Sequence, residues 1–368
     1  MEKIEAVNTK KTRLVMLDIM KGFGIVFVVI CHTHCPLENY LTIFIISMFM
    51  MISGFCWSEK HTQTWGGVWS MIKKRFKDLM IPYFMYSIIF LSLTNIFIAL
   101  HIYPAGQFGF PEYIGGVVSL ICGLQGSLFT VTLWYFYQLF LVYVIHAIIC
   151  RLFCNLMSTE HKRFVFYIVL TVASIVMLQI FQAHRELVIM KLFIRLVCCY
   201  VAFVLGVLVR ILYNKLNING ITPLHAVLFV AAGLLLYYMN GFTTIDVAAG
   251  NITSVWQYVV AGIVGFIFIF CLSVILDNKF TKKIADVMSY LGQNTKPIMA
   301  MQYLFYKPVT LVYILICGLS ITELERFPLI EDENLVFMWI FYTISGVVFS
   351  LLADKFLTVL KESILKKR

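Results

Sequence analysis

Charge is what this sequence has least of. Charged side chains make up 13% of its 368 residues, against 61% apolar. A soluble globular chain carries about 25% charged and about 45–50% apolar residues. The shortage excludes an ordinary soluble enzyme and leaves a polytopic membrane protein, in which one helical domain uses the whole chain. Proline is also sparse, at eight residues, and no Pro- or Ser-rich linker or internal repeat divides the sequence. Ten cysteines are present, none in a CxxC pair, and nearly all lie in or at the ends of apolar runs. Buried Cys behaves as a small hydrophobe, so no disulfide framework is expected. A cleavable leader is not expected either. The opening "MEKIEAVNTKKTR" is polar, and no small-residue cleavage site follows the first apolar run.

What charge there is leans positive, at +10. No basic stripe interleaves with aromatics, so nucleic acid is not the expected partner. Runs able to cross a hydrocarbon layer need about 20 residues. They stand at roughly 14–34, 40–57, 79–101, 131–153, 164–183, 192–213, 223–240, 255–276, 298–318 and 335–357. An eleventh, "YIGGVVSLICGLQGSLFT" (113–130), is Gly-rich and only moderately apolar. If it does not cross, twenty-three Lys and Arg fall on the cytoplasmic side, and only Arg185, Lys191 and Arg326 fall outside. If it crosses, that asymmetry collapses, so the positive-inside rule favours a re-entrant or interfacial segment. The expected fold is therefore all-α: a transmembrane helical bundle of about ten spans plus that segment. It forms one membrane-embedded domain over 1–368, with short cytoplasmic tails at 1–13 and 359–368 and both termini cytoplasmic. The stretch "WGGVWSMIKKRFKDLM" within 58–78 has the Trp and basic content of an interfacial helix.

The first span contains Asp18 and Lys21, and His32 lies near its outer end. Ionisable residues inside a span are costly and are functional candidates by default. Snorkelling to the interface also suits Lys21. Lys21 and His32 are eleven residues apart. On a helix that is three turns plus about 20°, so they share a face, about 16 Å apart along the axis. A cation and an imidazole so spaced suit a long ligand with an anionic head and a reactive tail, which is the shape of acyl-coenzyme A. His32 belongs to "CHTHC", in which Cys31, Cys35 and His34 cluster on one side. His32 points away from them, Pro36 ends the helix and no second ligand cluster appears, so no metal is expected.

Five segments, in order, resemble the acyltransferase-3 family of integral membrane acyltransferases, which includes fucose 4-O-acetylase-like enzymes of surface glycans. They are "RLVMLDIMKGFGIVFVVICHTH" (13–34), "SMFMMISGF" (47–55), "KKRFKDLMIPYF" (73–84), "LWYFYQLFLVY" (133–143) and "LGQNTKPIMAMQYLFYKPV" (291–309). The first carries the family's basic residue, ten intervening residues and His as Lys21 and His32. Three positions depart: Ser47 replaces a Pro, Asp78 stands where many members have Arg, and Gln302 replaces a late His.

The resemblance implies transfer of an acyl group, usually acetyl, from cytoplasmic acyl-CoA to a hydroxyl of a glycan or lipid-linked sugar. His32 would be the general base or a transient acyl carrier. Lys21 would hold donor phosphate, with Arg75 and Lys77 at the cytoplasmic mouth. On the acceptor side stand two further intramembrane cations, Arg195 and Lys307, with Gln302 at the late position and Glu38 placed to orient His32. For Lys307, Asp18 or a ligand anion is the expected partner. Trp134 and Tyr135 are packing, belt or donor-tunnel residues. The rival readings are a transporter or flippase for a lipid-linked glycan, a non-enzymatic export subunit, and the same chemistry with an amine acceptor or a succinyl donor.

Overall fold

A computed structural model describes the backbone of residues 2–216, 223–330 and 337–366, and the side chains of 15–187, 189–215, 223–330 and 337–363. The helices, in chain order, are α1 (Glu2–Ile30), α2 (Glu38–Phe55), α3 (Trp65–Arg75), α4 (Ile81–Ser92), α5 (Thr94–Ala99), α6 (Phe110–Ile121) and α7 (Trp134–Leu152). They continue as α8 (Glu160–Ala183), α9 (Val188–Leu216), α10 (Pro223–Asn240), α11 (Val255–Leu276), α12 (Lys282–Gln293), α13 (Thr295–Cys317) and α14 (Met338–Lys366). The only strands among the described residues are the two-residue pair β1 (Ile245–Asp246) and β2 (Asn251–Ile252), antiparallel with Ile245 opposite Ile252. A helical chain this apolar satisfies its own backbone in lipid.

Eight helical segments among the described residues are long and apolar enough to cross a membrane. They are Glu38–Phe55, Leu128–Leu152, Glu160–Ala183, Ile189–Lys215, Pro223–Asn240, Val255–Leu276, Thr295–Cys317 and Met338–Ser363. The protein is thus an integral, multi-pass membrane protein. Of the ten expected runs, the first lies on α1, whose side chains before Val15 are outside the described residues. The third differs from expectation, because it divides at Leu93 into α4 and α5. There the Thr94 hydroxyl donates to the Phe90 carbonyl at 3.1 Å, a back-bond that bends helices. The tail expected at 359–368 begins inside α14. Met1, Lys367 and Arg368 lie outside the described residues, as does 331–336 in the acidic loop.

The ambiguous Gly-rich run becomes α6, twelve residues long. That is about 18 Å of helix, too short for a hydrocarbon layer of about 30 Å. Gly123 stops it: its φ is +72°, a left-handed conformation natural to glycine, and Leu124 N–H donates back to the Ser119 carbonyl at 2.8 Å. The expected interfacial helix is α3. The Thr64 hydroxyl caps it by accepting from Gly67 N–H at 3.1 Å, and Trp65 and Trp69 are exposed. A π turn, Phe76–Met80, follows.

The chain folds into two compact units. Unit one takes residues 1–24, 39–78 and 138–293; unit two takes 25–38, 79–137 and 294–368. Inside unit one α8 packs on α9 and α10 on α11. A buried polar string also runs through it. His146 Nδ1 meets the Tyr200 hydroxyl at 3.3 Å, its Nε2 meets Cys150 Sγ at 3.4 Å, and the Tyr167 hydroxyl donates to Glu59 Oε1 at 3.1 Å. Unit two is organised on the pairing of α13 with α14. Its Thr132 hydroxyl donates to the Met299 carbonyl at 2.6 Å.

Candidate functional site

The structure distributes the candidate residues between the units. Lys21, Arg75, Lys77 and Arg195 belong to unit one; His32, Glu38, Gln302 and Lys307 belong to unit two.

In unit one, Lys21 Nζ donates to Asp18 Oδ1 at 3.2 Å, and both side chains are partly exposed. Asp18 Oδ2 also accepts from Gln293 Nε2 at 3.3 Å. This pairing requires α1 and α12 to approach closely, and glycine permits it. A Cβ on Gly292 would overlap the Asp18 carbonyl oxygen, and one on Gly22 the Met288 carbonyl. Arg75, in the last turn of α3, lays its guanidinium 4.1 Å from the Tyr143 ring centroid. Stacked in this way, a guanidinium keeps its N–H edge for a phosphate. Lys77 is exposed on the π turn. Arg195 is half-buried on α9, where the charge of Asp246 on β1 acts on it.

In unit two, α1 ends at Ile30 and the chain tightens. Cys31 N–H still reaches back four residues to Phe27, but His32 N–H and Thr33 N–H reach back three, to Val29 and Ile30. The side chains of "CHTHC" serve this turn. The Thr33 hydroxyl donates to the Ile30 carbonyl at 2.8 Å, Cys31 Sγ to the Glu38 carbonyl at 3.9 Å, and Cys35 Sγ accepts from Leu37 N–H at 3.4 Å. Burial pushes the Cys35 thiol's pKa up, which disfavours the thiolate a metal needs. Purified protein is expected to carry no stoichiometric zinc by metal analysis. Zinc that vanished in a Cys31→Ser, Cys35→Ser variant would overturn that.

His32 is half-buried, and its ring lies 5.2 Å from the ring of Tyr303, tilted 48°. Neither of its ring nitrogens has a hydrogen-bond partner among the described residues. Glu38, expected to orient it, instead lies 3.9 Å from His34 Nδ1. Gln302 is fully buried; its Oε1 accepts from the Tyr306 hydroxyl at 3.4 Å, and its Nε2 has no partner among the described residues. The same Tyr306 hydroxyl donates to the Val29 carbonyl at 3.1 Å, which also receives His32 N–H. Gln302 thus belongs to a network that fixes the turn bearing His32. Lys307 is buried and differs from expectation. Its Nζ donates to two backbone carbonyls, Leu324 at 2.8 Å and Arg326 at 2.6 Å, in place of a carboxylate. Trp134 and Tyr135, at the start of α7, are buried in this unit, their rings edge-on at 6.3 Å.

Tyr303, Tyr306 and Phe327 join the surroundings of His32 only through the fold, with the Phe327 ring 5.0 Å from that of Tyr303. Their one sequence signal was helical spacing: Tyr303, Tyr306 and Lys307 stand at i, i+3 and i+4 on α13.

Comparison with curated proteins and with solved structures found no match. A family model described as "Acyltransferase domain" matches residues 14–355. That stretch includes every candidate residue from Lys21 to Lys307, and the chain therefore belongs to the acyltransferase-3 family of membrane-embedded acyltransferases.

Proposed function

We propose that the protein moves an acyl group, acetyl by preference, from cytoplasmic acyl-CoA to a hydroxyl of a surface polysaccharide or lipid-linked sugar. The observation that carries this reading is His32, with both ring nitrogens uncommitted, at the end of the helix that bears Lys21. Lys21, Arg75 and Lys77 hold donor phosphates as cations. His32 takes the acceptor's hydroxyl proton as its oxygen attacks the thioester carbonyl. The tetrahedral intermediate collapses, the C–S bond breaks, and the thiolate leaves and recovers the proton, giving ester and free CoA. Transient acylation of His32 itself is the second route; an acyl mass on the His32 peptide after donor alone would distinguish it. Arg195, Gln302 and Glu38 are assigned to the acceptor side. The family match takes in residues of both units, which supports one acyltransferase domain.

Acceptor-dependent release of free thiol tests the reading. Surface glycan from cells with and without the gene should differ by an acyl mass. A transporter or flippase, or a subunit without chemistry, would release no thiol on adding acceptor and would tolerate His32→Ala.

The basic-residue asymmetry supports a plasma- or inner-membrane location with both termini cytoplasmic. In a variant cleared of reactive native thiols, an impermeant reagent should label a cysteine at 110 from outside and not one at 160. Labelling of 160 from outside would overturn this topology.

A further inference from the structure

We infer that Lys307 is a positioning residue for His32, acting through a loop and two aromatic rings rather than by binding the acceptor. The inference rests on His32 as the base. Four observations carry it. Lys307 is buried, and two of its three N–H donors are spent on the carbonyls of Leu324 and Arg326. Those carbonyls flank the end of the short 3₁₀ turn Ile321–Glu325, and Phe327 comes directly after Arg326. The Phe327 ring lies 5.0 Å from that of Tyr303, and Tyr303 lies 5.2 Å from His32. Tyr303 and Lys307 are one turn apart on α13, so the amine, the loop and the two rings form a closed circuit.

The rest of the loop is equally secured. Leu324 is buried in a cluster with Tyr313, Ile314 and Ile330. Arg326 pairs with Glu323 at 2.5 Å, and Glu325 with His101 at 2.7 Å. A cation is the right group for the centre of such a loop. An ammonium offers several donors from one point, enough for both carbonyls. Among the described residues no carboxylate is seen to orient the His32 ring, and Glu38 lies 3.9 Å from His34 Nδ1. Ring contact with Tyr303 serves instead, and the clamp on Phe327 holds Tyr303 in place.

The test uses the full-length protein in detergent or liposomes, with acceptor-dependent thiol release and the rate at which diethyl pyrocarbonate modifies His32, read by peptide mass. Lys307→Met should lower kcat by about 10²-fold, the scale expected of a misplaced catalytic group, while leaving the donor and acceptor KM near wild type. His32 should react several times faster. Phe327→Ala should do the same, and the double variant should be no worse than either single one, because both break one circuit. Lys307→Arg, which can still donate to two carbonyls, should restore most of both signals and guards against a variant that merely fails to fold. A raised acceptor KM with unchanged His32 reactivity would overturn the proposal and make Lys307 an acceptor ligand. Faster modification of His32 with unchanged transfer would support the clamp and overturn His32 as the base.

Discussion

His32→Ala should reduce acyl transfer by about 10²–10⁴-fold, the range typical of losing a general acid–base group, with donor affinity nearly unchanged. The split follows from where the ring sits. Its ring nitrogens bond to nothing among the described residues, so the substitution takes away no internal hydrogen bond. The turn is held by Thr33, Cys31 and the Val29 carbonyl, none of which the substitution touches. What is lost is an imidazole that can take the acceptor's proton and return it. His32→Gln sharpens the test: it keeps a polar side chain of similar reach but cannot take the proton, and should be as inactive as Ala. Calorimetric titration with CoA beside thiol release reads both quantities. Full transfer by His32→Ala would sink the assignment. A loss of CoA affinity in His32→Ala alone would mean that the donor lies in the opposite sense.

The spans and the candidate site differed in how far they could be read from sequence. Helices such as α8 and α11 are apolar over 20 residues or so, and run length alone marks them. The break at Leu93 was not legible, because Thr94 chooses between solvent and the Phe90 carbonyl only once neighbours surround it. Lys21 and His32 were legible because both fall in one apolar run, where helical spacing suggests a shared direction, although α1 ends at Ile30 and His32 stands in the turn just beyond it. The surroundings of His32 were not. Tyr303 and Phe327 are ordinary aromatics in an aromatic-rich chain, and only the tertiary fold brings them against that ring. Lys307 shows the same limit from the other side. A sequence displays charges but not backbone carbonyls, so an acidic partner was the natural expectation for a cation that carbonyls in fact hold.

Lys21→Ala should weaken donor binding by roughly 10- to 150-fold, the affinity equivalent of about 1.5–3 kcal/mol for one charge-assisted contact. Transfer at saturating donor should stay close to wild type. The structure adds a complication that the spacing did not reveal. Lys21 is paired with Asp18, so removing the cation also uncovers a carboxylate, which remains tethered to Gln293. Part of the loss would then be repulsion between that carboxylate and the donor phosphates. Asp18→Asn combined with Lys21→Ala separates the two contributions: the double variant should regain part of the affinity that Lys21→Ala loses. Asp18→Asn alone should bind donor at least as well as wild type, since the amide no longer competes for the ammonium. Lys21→Arg keeps a cation and should retain part of the affinity, with different reach and hydration. The contrast should shrink as salt is raised, because both charges are partly exposed and screened. CoA titrations on the four variants at low and high salt measure all of this. Normal CoA affinity in Lys21→Ala would make the Asp18–Lys21 pair a structural tie between α1 and α12 and nothing more.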